Sequence, residues 1–151
     1  MTIQENPMSA TTETTKAIFA RLHEAMNSAD PDFVAKTIDE LFDPDVELGT
    51  PLPIETTGVE AVKHVWSLLL HAFPDLDVHV EDVIAEGDKL VCRNTVTGTH
   101  EGEFMGIAPT GKRITYKEIM IIRVTGGRIS KTWGVVDTLS QLRQLGAIPT
   151  P

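Results

Sequence analysis

Cysteine is almost missing from this chain: Cys92 is the only one in 151 residues. A lone thiol cannot close an intrachain disulfide or build a thiolate metal cage. A reducing, cytoplasmic compartment is therefore the expectation. Long apolar runs are missing too. No segment approaches the ~18 uninterrupted apolar residues of a transmembrane helix. Met1 to Thr15 lacks the charged-then-apolar order of a signal peptide. Base is scarce: 13 Lys and Arg stand against 22 Asp and Glu, a formal net charge of −9. Nucleic acids and anionic membranes are bound through clustered Lys and Arg, so neither is an expected partner. Familiar chemical motifs are absent as well, with no HExxH, Cys/His cluster, P-loop, GxGxxG or GxSxG. The expectation is a pocket that works without a cofactor and without a metal.

What is present fits one domain. The apolar fraction is 41% and the charged fraction 23%, ordinary for a chain that builds a single sizeable core. Residues 1–11 read as a disordered tail and 12–148 as the domain. Charge is unevenly spread. The first 104 residues hold 20 acids and 6 bases; the last 47 hold 7 bases and only two acids, Glu118 and Asp137. A carboxylate on an apolar strand in that second half calls for an explanation.

Helical periodicity marks three segments: Thr12–Asn27, a helix capped by Asp30 with Pro31 in its first turn, and Val59–Ala72. Asp45–Leu48 is a short extended piece between the last two. After Asp75 the period changes from 3.6 to 2. Leu76, Val78 and Val80 alternate with polar residues, and a slip at Asp82-Val83-Ile84 suggests a bulge. Leu90–His100, Ile114–Val124 and Ile129–Asp137 are long strands, the last two joined by the primed-turn signal Gly126-Gly127. Thr138–Leu145 is a closing helix. Segregated helices and strands predict an α+β fold. Its curved antiparallel sheet wraps around three N-terminal helices to form a cone with an internal cavity.

Polar residues on apolar strand faces are the site candidates. Ile129, Trp133, Val135 and Asp137 share parity, which would put a carboxylate at the end of a pocket-lining row. Burial there would tune Asp137 toward a general base; equally, Asp137 reads as the N-cap of the closing helix, and the two roles are compatible. Asn94 and His100 interrupt the Leu90–Cys92–Val96 row. Asn94 reads as a structural hydrogen bonder or a ligand contact, and His100 as a strand-end histidine in water or a pocket donor. In the next strand Tyr116, Glu118, Met120 and Ile122 oppose Thr115, Lys117, Ile119 and Ile121. Both rows are mixed, so either could face the cavity, with Glu118 as a second acid or an exposed strand residue. Trp66 lies on the third helix's apolar stripe, as core or as a ligand platform. His64 and His71 on that helix are two turns apart, too far to share a metal.

Several stretches resemble the SnoaL-like polyketide cyclases (ester cyclases) of the nuclear transport factor 2 superfamily. They are Phe73-Pro74-Asp75-Leu76, Val80-Glu81-Asp82-Val83 with Glu86-Gly87-Asp88, and Val96-Thr97-Gly98-Thr99-His100. The run from Gly102 through Phe104-Met105-Gly106 to Pro109-Thr110-Gly111 belongs with them, as do Ile122-Arg123-Val124, Gly127-Arg128-Ile129 and Trp133 with Asp137, Leu142 and Leu145-Gly146. The likeness spans about Lys16 to Gly146. It implies the cone-shaped α+β barrel and ring closure by intramolecular aldol condensation. It also implies Asp137 as the base at the end of the last strand, and His100 as the histidine of a Gly-Thr-His motif. Two positions depart from the pattern: Met120 stands where members often carry His or Asp, and Leu48-Gly49 where many carry His or Asn.

The expected mechanism therefore has Asp137 removing a proton α to a carbonyl. His100 or Asn94 donates to the enolate oxygen, and Trp133, Trp66, Met120, Val135 and Glu118 line the site. The partner would be a hydrophobic small molecule. A homodimer would form through the face carrying Arg93, Thr95, Thr97, Thr99 and Lys117. The alternatives are a non-enzymatic binding protein on the same fold, or a hydrolase or hydroxylase activating water near Asp137.

Overall fold

A computed structural model of the chain describes residues 7–150. The elements run α1 (Pro7–Met26), α2 (Pro31–Leu41), β1 (Phe42–Leu48), α3 (Gly58–Ala72), β2 (Asp77–Glu86), β3 (Lys89–Thr99), β4 (Arg113–Thr125), β5 (Arg128–Val136) and α4 (Thr138–Gln144). The first helix begins at Pro7, five residues before the position its periodicity predicts. The part of the expected tail before Pro7 lies outside the described residues.

Local chemistry sets the boundaries. Asp30 caps α2: its Oδ1 accepts from Asp32 N at 3.0 Å and Phe33 N at 3.2 Å, with Pro31 in the first turn. The helix passes straight into β1 at Phe42, and Asp43, which precedes Pro44, is pushed out of the helical region. At the end of α1 the Asn27 amide accepts from Val78 N at 2.8 Å and donates to Val78 O at 3.0 Å, clipping the helix to β2.

The five strands form one sheet in the order β1-β5-β4-β3-β2. From β2 to β5 it is an antiparallel meander. The first strand joins β5 in parallel, so the sheet is mixed rather than wholly antiparallel. Its inner face packs on the helices, burying among others Ile38, Phe73, Leu90, Ile114, Ile122 and Ile129. The Gly126-Gly127 turn has φ of +60° and +79°, as a primed hairpin requires.

Two register shifts matter for the site. In β2 the pairing steps from Val80↔Asn94 to Asp82↔Arg93, the bulge that the slipped alternation predicts. In β5 it steps from Val124↔Ile129 to Arg123↔Lys131. Ser130 is the extra residue, and it reverses the faces of all that follows. Ile129 points inward; beyond the bulge Thr132 is buried while Val135 is 76% exposed. The expected row of Ile129, Trp133, Val135 and Asp137 is therefore broken in two.

Candidate functional site

Between the helices and the inner sheet face lies a cavity of about 110 Å³. Its walls are mainly apolar: Leu22 and Met26 from α1, Val62 and Trp66 from α3, Val96 from β3, Met120 from β4. A tight turn, Phe104 to Ile107, holds Met105 at φ +50°, and both Phe104 and Met105 line the cavity.

The inward row of β4 is Ile114, Tyr116, Glu118, Met120, Ile122 and Val124, which settles the open parity. Glu118 thus brings a carboxyl to the cavity wall. It sits in register between Asn94 on β3 and Val136 on β5. The Asn94 amide donates to its Oε1 at 2.9 Å. No ion pair among the described residues involves Glu118. Burial raises its pKa above the ordinary glutamate value, and the Asn94 hydrogen bond opposes that shift without cancelling it. Asn94 itself is 1% exposed. Its Nδ2 also lies 3.5 Å from Cys92 Sγ, and its Oδ1 has no hydrogen-bond partner among the described residues. Burial pushes the Cys92 thiol up as well.

Tyr116, two residues from Glu118 in the same row, also lines the cavity. Burial pushes its phenol up, first by desolvation and then by the Glu118 charge, while a hydrogen bond with Gln141 of α4 works the other way. The wall thus offers a carboxylate with a raised proton affinity and a neutral phenol.

Asp137 does not belong to this group. It follows the Ser130 bulge, so its side chain is exposed and accepts from Ser140 N at 3.0 Å as the N-cap of α4. The capping role holds; the expected place in the cavity is corrected. Val135 is turned outward by the same bulge. So is Trp133, whose ring lies under Lys131 Nζ at 4.8 Å. Neither lines the cavity.

His100 is corrected in another way. It is fully buried, neither in water nor on the cavity wall. Its Nδ1 accepts from Thr110 N at 3.2 Å and lies 3.0 Å from Thr110 Oγ1, with the Phe73 ring centroid 5.6 Å away. It fastens the loop between β3 and β4. Water activation between Asp137 and a converging Asn94, His100 or Glu118 loses its geometry, since only Asn94 and Glu118 meet. Trp66 and Met120 line the cavity. His64 and His71 are exposed, and no group of three possible metal ligands occurs among the described residues. No helix among them is long and apolar enough to cross a membrane.

Gln141, Thr132 and Gly134 are also among the wall residues, and the sequence does not single them out. Thr132 is buried, with no partner for its Oγ1 among the described residues. The one available signal was Gln141, a polar residue on the inner side of a short helix.

A family model for SnoaL-like polyketide cyclases matches residues 16–145. The aklanonic acid methyl ester cyclase DnrD of Streptomyces peucetius is 32% identical over 135 residues, 87% of this chain and 90% of that protein. Among solved structures, AclR of Streptomyces galilaeus, provisionally a hydroxylase, superposes with a TM-score of 0.78 at 31% identity, over 93% of this chain and 85% of that one. IdmH of Streptomyces antibioticus, provisionally a polyketide cyclase, gives 0.71 at 34% identity, over 87% and 98%.

Proposed function

This chain belongs to the SnoaL-like polyketide cyclase family, and from that premise we propose that it closes a ring by intramolecular aldol condensation in its cavity, with Glu118 as general base. The substrate class is an apolar small molecule carrying at least two carbonyl groups, of the kind named for its cyclase relative, an aklanonic acid methyl ester. One observation carries the assignment: Glu118 is the acid on the apolar cavity wall, held there by Asn94.

The Glu118 carboxylate takes a proton from a carbon α to one carbonyl. The enolate carbon attacks the second carbonyl, forming the new carbon–carbon bond. The resulting alkoxide takes a proton back from the Glu118 carboxylic acid. The ring-closing step is an aldol addition without dehydration, so atoms balance with no water gained or lost. Nothing is oxidised or reduced and the base belongs to the chain, so the scheme calls for no cofactor. Asn94 acts as a positioning residue that holds Oε1. Tyr116, kept neutral, is placed two residues away to donate to the enolate oxygen. Trp66 and Met120 cover the ring and exclude water.

The test is incubation with aklanonic acid methyl ester, followed by chromatography for a product of unchanged mass. Glu118→Gln should lower the rate by about 10²–10⁴, while Asp137→Asn keeps most of it. An unchanged rate in Glu118→Gln would remove the assignment.

The proposal includes a cytoplasmic homodimer. On the outer sheet face Ile84, Val91, Ile121 and Trp133 lie in one rung, and Ile119 and Val135 in the next. A second copy would cover these apolar side chains, three of which are at least 49% exposed. Sedimentation of the wild type and of Val135→Glu reads this out: a dimer and a monomer are expected, and a monomeric wild type would end it.

A further inference from the structure

The 11 glycines of this chain divide by physical cause. Seven have positive φ, where a side chain is strained. Three more are held by space. A Cβ on Gly49 would lie 2.9 Å from Thr132 O, one on Gly98 2.9 Å from Phe73 Cβ, and one on Gly102 would strike the His71 carbonyl. Gly134 has neither reason. Its φ is ordinary, and the single atom near an added Cβ would be Gly49 O at 3.4 Å, a normal contact.

Gly134 is also in an expensive place. It sits in the interior of β5, where glycine weakens a strand because it has no side chain to pack and more freedom to lose. It occupies the inward row between Thr132 and Val136, lines the cavity, and faces Met120 in register. Glu118 pairs with Val136, one inward position further along. That step is two residues, roughly 7 Å. The missing side chain therefore leaves a gap in the wall beside the carboxyl.

We propose that Gly134 is a specificity-determining residue: its bare backbone and the Met120 side chain form a slot for a flat ring. A ring in this slot has the carbon α to its carbonyl beside Glu118. The ligand class this selects is a fused-ring aryl ketone whose ring system extends past the reacting carbon toward Thr132. Thr132, whose buried hydroxyl has no partner among the described residues, marks the far end of the slot. The inference deepens the reading of the cavity as a ketone site and rests on it.

Calorimetric titration with two ketones tests it: α-tetralone, with two rings, and its three-ring phenanthrene homologue. Wild type should bind both. Gly134→Val should weaken the three-ring ketone by about tenfold or more and α-tetralone by less than about threefold, since the added methyls fill the slot alone. Its thermal midpoint should be unchanged or higher, because the added Cβ meets nothing nearer than Gly49 O at 3.4 Å. Gly134→Ala should fall between the two proteins in affinity for the three-ring ketone. Equal weakening of both ketones, or of neither, would overturn the slot. A lowered midpoint in both variants would do so too, by showing that packing demands the glycine. A wild type that binds neither ketone would instead remove the ligand reading of the cavity, and this inference with it.

Discussion

Glu118 and Asp137, the two acids of the last 47 residues, have opposite fates. The first stands mid-strand on the inner wall, short of water, with one neutral amide donor and no cation. The second stands where β5 turns into α4, in solvent, accepting from the backbone of the helix it starts. Burial sets the proton affinity of the first; the second spends its oxygens on a helix terminus. Position in the sheet, not residue type, separates a group suited to move protons from one suited to hold structure.

Four measurements sharpen that contrast, or break it. The largest effect is on turnover: Glu118→Gln should cost about 10²–10⁴ in kcat, while Asp137→Asn keeps most of it. A reversed ranking would return catalysis to the strand end. Next is the pH profile. A base must be ionised, so kcat/KM should fall as pH drops through the raised Glu118 pKa, at a pH above the ordinary glutamate range. Asn94→Leu removes the hydrogen bond that favours the ionised form and should move this limb to still higher pH. An unmoved limb would mean that Asn94 serves packing only.

The third effect is on stability. Asp137→Ala removes the α4 cap and should cost about 1 kcal/mol, read as a midpoint lower by about 2–4 °C. The smallest runs the other way. Because the native state binds the Glu118 proton more tightly than the unfolded chain does, this group favours unfolding increasingly as pH rises from the ordinary glutamate range through the raised value. Glu118→Gln should therefore melt slightly higher than wild type at neutral pH, the difference vanishing in acid. A lower neutral midpoint would contradict the burial cost assigned to Glu118.

Much of the architecture could be read from residue order. Asp30-Pro31 announced α2, Gly126-Gly127 the hairpin, and the change of period after Asp75 the start of the meander. The β2 bulge showed because Val83 and Ile84 stand side by side where alternation requires one apolar residue. The β5 bulge did not show. From Ile129 to Val136 the inward residues after Ser130 are Thr132, Gly134 and Val136, two of which carry no apolar signal. The outward Trp133 and Val135 look like core. Their apolar character belongs to the outer rungs instead. In β4 the two rows are similar in hydrophobicity, and pairing with Asn94 decides between them, which is tertiary information. The acid was identifiable as an oddity; its face was not.

The clip between α1 and β2 has a further consequence. β2 is a terminal strand of the sheet, and such a strand normally displays free backbone groups that invite a foreign strand to add on. At Val78 both groups are already taken by the Asn27 amide, which imitates a neighbouring strand, and His23 Nε2 shares the carbonyl at 2.7 Å. Near the other end Gly87 is occupied in the same way, its N–H by Thr12 and its carbonyl by Thr15. The first helix thereby acts as a guard rail against amyloid-like stacking, and Asn27→Leu should aggregate faster on mild heating than its loss of stability alone explains.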